Sequence, residues 1–162
     1  MSVSYVITGI RDTPAEAWKA IETRMRAILS ENPREVVFGG ARGSDTMALE
    51  AAGMWRPASS GTALVVIVPG VLENQPQLAQ AATRRYATTL VQLRQVISAR
   101  TLQARNNAML MRGLESDVCR VVAFTDGRSA GGTHNTIQAA RRLGIPVEVV
   151  LFPKGQVDSH DC

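Results

Sequence analysis

The chain has little cysteine, almost no lysine and few aromatic residues, and each scarcity excludes something. Only two cysteines occur, Cys119 inside the apolar run CRVVAF and Cys162 at the last position. Neither belongs to a disulfide framework or a metal-ligand cluster, so the expectation is a buried thiol, a tail thiol and no metal site. Aromatic residues make up 4% of the chain, which leaves few platforms for stacking nucleic-acid bases. No apolar run approaches the roughly 20 residues needed to cross a bilayer. The amino-terminal stretch MSVSYVITG lacks the basic region, long apolar core and cleavage site of a secretion signal. The expectation is a soluble, cytoplasmic protein without a membrane partner.

What is present is ordinary for a globular domain: 45% apolar and 20% charged residues over a length of 162. One domain is expected over residues 1–153, followed by a flexible tail at 154–162. The formal net charge of +4 rests almost wholly on arginine, because Lys19 and Lys154 are the only lysines. Arginine's planar fork suits bidentate contact with phosphate, although a solvated face explains many single arginines.

Residues 3–8 alternate and end in Gly9, which reads as a first strand. Asp12 or Thr13 before Pro14 would cap the helix that follows. That helix carries Trp18, Ile21, Met25, Ile28 and Leu29 on one face, and Asn32 with Pro33 stops it. Residues 35–38 form a short β-branched and aromatic run, GGARGSD breaks it, and residues 46–53 read as a helix. Residues 64–68 suit a strand buried on both faces. Residues 77–114 have helical spacing and no glycine or proline before Gly113, which predicts one long helix, or two joined near 98–104. Within it Leu90, Leu93, Val96 and Ile97 could pack as a helix–helix seam of a homo-oligomer. Residues 118–124 are a further strand, TDGRSAGG a second glycine-rich loop, and residues 133–143 a helix ended by Gly144. Residues 145–151, with Pro146 near the start, are the last strand.

The alternation predicts an α/β, Rossmann-like fold: a mainly parallel sheet of about five strands with helices on both faces. Ligands of such sheets lie outside the carboxyl ends of the strands, where strand order reverses. Three segments leave strands at that edge: residues 9–12, 39–45 and 125–133. Gly9 and Arg11 belong to the first. Gly39, Gly40 and Gly43 in the second allow close backbone approach and open a helix whose first amides can hold a phosphate. Arg42 and Arg11 flank these loops as candidates for charge-assisted contacts. Ser44 and Asp45 suit helix caps, and Asp45 could instead accept from a ribose hydroxyl or fix a loop amide. The third segment repeats the pattern: Gly131 and Gly132 precede Thr133, and the hydroxyls of Ser129 and Thr133 can join the amides around an anion. His134 follows directly, without a neighbouring nucleophile or paired carboxylate that would make it a catalytic base. Neither loop is GxxxxGK[ST], and GxGxxG does not follow the first strand, which disfavours a kinase or an ordinary dehydrogenase.

The order of GIR, FGGARGSD, ARNNAM and VVAFTDGRSAGGT resembles the SLOG superfamily. That superfamily includes the DNA-processing protein A (Smf) group, the lonely-guy-like phosphoribohydrolases and small stand-alone members, and the chain looks most like the last. The resemblance covers nearly the whole chain. It implies a Rossmann-like domain that holds ligand phosphate on both glycine loops and on the arginine of the RN motif, here Arg105 with Asn106. Phosphoribohydrolases carry a glutamate in GGxGTxxE, whereas this chain has GGTHNT with Thr136 at that place, which weighs against glycosidic hydrolysis.

Three functions follow in order. The first is a sensor or sequestering module for a nucleotide or nucleotide derivative, with no cofactor implied. The second is a nucleotide-processing glycosidase or phosphoribohydrolase-like enzyme, using Asp45 or His134 for acid–base work. The third is a DNA-processing accessory protein that binds single-stranded DNA.

Overall fold

The computed structural model describes residues 1–152. The tail expected at 154–162, with Lys154 and Cys162, lies outside the described residues. Six strands form one sheet: β1 (Val3–Gly9), β2 (Glu35–Phe38), β3 (Ala63–Val68), β4 (Thr89–Gln92), β5 (Val118–Thr125) and β6 (Val147–Leu151). Five helices connect them: α1 (Trp18–Ser30), α2 (Ser44–Trp55), α3 (Gln77–Tyr86), α4 (Ala99–Gly113) and α5 (Gly132–Arg142). The strand order is β4-β3-β2-β1-β5-β6 and every pairing is parallel. The architecture is therefore the expected Rossmann-like α/β sheet, with one strand more than the sequence suggested.

The strands are buried on both faces because their alternate residues feed two cores. Tyr5, Ile7, Val36, Phe38, Val66 and Phe124 face α1, α2 and α3, whose Ile21, Met25, Ile28, Ala48 and Ala82 share that cluster. Val6, Val37, Val65 and Val121 face the other side, where Met109 and Leu110 of α4 and Ala140 of α5 meet them. A strand with apolar residues at both parities is stable only between two layers, so the helices must divide between the faces.

Two expectations are corrected. The long helix over residues 77–114 is interrupted: α3 ends at Tyr86, and β4 lies on the outer edge of β3, with Val65 opposite Thr89 and Val68 opposite Gln92. The run Thr88-Thr89-Leu90-Val91 has β-branched character, and pairing with β3 satisfies backbone groups that an exposed edge would leave to water. Leu90 consequently sits on an edge strand, and Leu93, Val96 and Ile97 fall in the loop after it, so the helix–helix seam is not formed. The second correction concerns α1. Neither Asp12 nor Thr13 caps it; a short 3-10 turn at Ala15–Ala17 leads in, and the Thr13 hydroxyl donates to the carbonyl of Ile10 at 2.7 Å.

Because strand order runs from β1 outward to β4 and then returns to the other side of β1 for β5, the topological reversal falls between β1 and β5. The loops after β1, β2 and β5 converge there.

Candidate functional site

A cleft of about 500 Å³ opens at this reversal. Of the residues singled out from sequence, it gathers Gly9, Arg11, Gly39, Arg42, Asp45, Arg105, Asn106, Gly131, Gly132 and Thr133. Gly40, Gly43 and Ser44 do not line it. Each of these three fills a packing role behind the wall. A Cβ on Gly40 would stand 2.6 Å from a Val68 methyl, and one on Gly43 would stand 2.3 Å from the Arg11 carbonyl oxygen. Gly43 also has φ +81, a conformation open to glycine, and lets the loop after β2 press against the loop after β1. Ser44 is fully buried, its amide donates to the Ile10 carbonyl, and its hydroxyl pairs with that of Thr13 at 2.6 Å.

The two glycine loops differ in what their amides do. In the loop after β2, Asp45 turns back from the first turn of α2, and its carboxylate accepts from the amides of Gly39 at 2.9 Å and Ala41 at 3.0 Å. Asp45 thus fixes loop amides, one of the roles foreseen for it, and takes the Gly39 and Ala41 amides that an external anion could otherwise meet. Its residue is only 4% exposed. Burial pushes the carboxyl up to about 6, against the opposing pull of Arg105 and of the loop amides. In the loop after β5 no such carboxylate intervenes. Gly131 precedes α5 with φ +98, no side chain caps the helix, and its next intrahelical donor is Asn135, bonded to the Gly131 carbonyl at 2.9 Å. The amides of Gly132, Thr133 and His134 donate to no group among the described residues, and they carry the positive end of the helix dipole.

Arg105 joins the loops from α4. It is 5% exposed; its Nη1 donates to the Gly39 carbonyl and its Nε to the Asn106 side-chain oxygen at 2.8 Å. Nη2 has no acceptor among the described residues. Burial pulls the guanidinium below its ordinary value, Asp45 opposes this, and the charge of Arg11 adds to it. A guanidinium so placed gains from an anion brought into the cleft.

Sequence reading missed three groups. Arg128, within the second loop, lines the cleft and clamps Asp126 with bonds of 2.9 and 2.8 Å, which hold that carboxyl down to about 2. Asp12 lies 3.9 Å from Arg42 and 3.8 Å from Arg128, a carboxylate between two loops. Ala99, Leu102 and Gln103 line the cleft beside the expected Asn106, at spacings of three and four on one face of α4. That spacing was legible once α4 was known to begin at Ala99. His134 does not line the cleft, and the Thr136 hydroxyl donates to the Gly132 carbonyl at 2.9 Å. Cys119 is buried, and burial pushes its thiol up to about 11, which leaves it unreactive. Among the described residues no group of three or more His, Cys, Asp or Glu could hold a metal ion, and no helix is long and apolar enough to cross a membrane.

No protein-family model and no curated protein matches the chain. Solved structures do. The chain superposes on DNA processing protein A from Streptococcus pneumoniae with a TM-score of 0.68 and 19% identity, over 97% of this chain and 52% of that one. DNA processing protein A from Helicobacter pylori, described for its single-stranded DNA binding mode, gives 0.67 and 18% identity, over 98% of this chain and 70% of that one. The molybdenum cofactor binding protein of Rippkaea orientalis gives 0.58 and 18% identity, over 94% and 78%. The chain thus spans about half the length of the pneumococcal protein. At these identities the likeness is one of fold, and it agrees with the SLOG-type resemblance carried by the four motifs.

Proposed function

We propose that the cleft binds a phosphate-bearing small molecule, a nucleotide or a nucleotide derivative, and that the protein acts as a sensor or sequestering module for it. The observation that carries this reading is the meeting of two donor sets: the open amides at the start of α5 and the buried Arg105 guanidinium. Four arginines line the cleft, Arg11, Arg42, Arg105 and Arg128, against two carboxylates, Asp12 and Asp45. A cleft of about 500 Å³ is within the range of small-ligand sites. Glycosidic hydrolysis finds less support, because Asp45 is tied to loop amides and Asp12 is an exposed ion-pair partner.

A thermal-shift panel tests the reading with mononucleotides, NAD, ADP-ribose, cyclic nucleotides and short single-stranded DNA. A ligand at about 100 times its dissociation constant adds about 2.7 kcal/mol, which raises the midpoint of a chain this size by about 5 to 10 °C. A shift with one nucleotide class supports the proposal. Silence from every small molecule overturns it, and a salt-sensitive response to DNA alone then favours the second reading. That second reading, single-stranded DNA binding, draws on the fold shared with DNA processing protein A and on the net charge of +4.

A further inference from the structure

Beside the anion cleft lies a second cavity of about 340 Å³. Arg11, Arg42 and Arg105 line both, so the two are lobes of one site that share their guanidinium groups. The second lobe is different in kind: Pro76, Ile97 and Leu102 give it an aliphatic lining, and Asn74 and Gln75 give it a polar edge. Gln75 is 8% exposed, and its Nε2 donates to the Val71 carbonyl at 3.2 Å, while its Oε1 accepts from no group among the described residues. The exposed Asn74 side chain makes no hydrogen bond among them either. Primary amides of this kind match the mixed donor and acceptor edge of a nitrogen heterocycle.

The apolar rim is held open rather than collapsed. Ile97 is 42% exposed, yet the segment that carries it is tied at both ends. The amides of Arg94 and Gln95 donate to the carbonyls of Gly70 and Pro69, and Ser98 with Thr101 forms a reciprocal capping box at the start of α4. Exposed aliphatic groups on a fixed segment at the mouth of a cavity lose little entropy when a flat ring covers them.

We propose that this lobe takes a planar nitrogen heterocycle. Its face lies against Ile97, Leu102 and Pro76, and its edge bonds to Asn74 and Gln75. The attached phosphates pass Arg11, Arg42 and Arg105 toward the amides of α5. The inference rests on the anion-binding reading of the cleft and narrows its ligand to a nucleotide with two or more phosphate groups. Negative charge is then met both at the shared arginines and at the helix start.

Calorimetric titration of the whole chain with inorganic pyrophosphate and with ADP, GDP, CDP and UDP separates the two ideas. At least one nucleoside diphosphate is expected to bind about tenfold or more tightly than pyrophosphate, the gain from covering a ring face with aliphatic carbon. Ile97→Ser, at a partly exposed loop position outside the anion cleft, is expected to erase that gain and leave pyrophosphate affinity unchanged. In methyl NMR of the unaltered protein, the Ile97 signals should move with the nucleotide and stay in place with pyrophosphate. Nucleotides no tighter than pyrophosphate, or an Ile97→Ser protein that keeps the gain, overturn the ring lobe while the anion cleft stands. A chain that binds neither pyrophosphate nor any nucleotide overturns both.

Discussion

The loops after β2 and β5 have nearly the same composition, both follow a central strand, and both open a helix. The first is an internal strut. Its Gly39 and Ala41 amides are spent on Asp45, its Gly39 carbonyl on Arg105, and its Gly43 backbone on the loop after β1. The second is unengaged: residues 127–132 are exposed, a Cβ on Gly131 would meet nothing within 4 Å, and the first amides of α5 donate to no group among the described residues. One carboxylate makes the difference. Where the chain supplies its own anion, a glycine loop consolidates the fold; where it does not, the same loop chemistry stays without an internal partner.

The sharpest way to break this contrast is to place a methyl group in each loop. Gly43→Ala puts Cβ against the Arg11 carbonyl in a positive-φ conformation and is expected to cost about 4 kcal/mol, lowering the melting midpoint by about 10 °C or more. Gly131→Ala meets only the conformational penalty of its φ of +98 and is expected to cost about 1 to 2 kcal/mol. Equal losses in thermal unfolding would erase the distinction.

The next effect in size belongs to Asp45. Its folded-state carboxyl is raised to about 6, so between the unfolded value near 4 and that value the folded chain binds the proton more tightly. The contribution of this group to stability is therefore fully present below pH 4 and is lost as pH rises through 6, by about 3 kcal/mol in all. Asp45→Asn should remove this slope. Urea unfolding of both proteins at pH 4 and pH 7 measures it, and parallel curves would mean that the loop amides and Arg105 fully offset the burial of the carboxylate.

The third test removes a single donor from the second loop. Gly132 is the first residue of α5, where proline is tolerated because the amide has no intrahelical partner. Gly132→Pro should leave the melting midpoint within about 2 °C, yet weaken phosphate-ligand binding by about tenfold or more, the worth of one charge-assisted hydrogen bond. Unchanged affinity in titration would move the anion away from α5. The smallest expected effect is that of Asp12→Asn. Without this carboxylate between Arg42 and Arg128, affinity for pyrophosphate should rise about two- to fivefold at low salt, and the gain should fade as salt is added.

Most of the scaffold was legible because its signals are local. The apolar parity of residues 3–8, 35–38, 64–68 and 118–124 announces strands buried on both faces, and Gly9 and Gly39 mark where the first two end. The stretch from Gln77 to Gly113 was not, because nothing within Tyr86 to Ser98 breaks a helical pattern by glycine or proline. β4 exists because β3 offers an edge, a partner more than twenty residues away in sequence. Ten of the thirteen expected site residues meet in the cleft, and the other three, Gly40, Gly43 and Ser44, stand behind it. The two groups share residue types and differ only in which way the loop turns.

By itself, then, the sequence determined the class of fold, the edge of the sheet where the cleft opens, and most of the arginines and glycines that line it, since periodicity and backbone permissiveness are written in neighbouring residues. Tertiary structure decided which amides remain free. Asp45 reaches its own loop only once α2 packs on the sheet, and Arg105 reaches Gly39 only once α4 crosses from the opposite face. Whether a hydrogen-bond donor is spent or open depends on what folding brings within about 3 Å of it, and no local pattern encodes that distance.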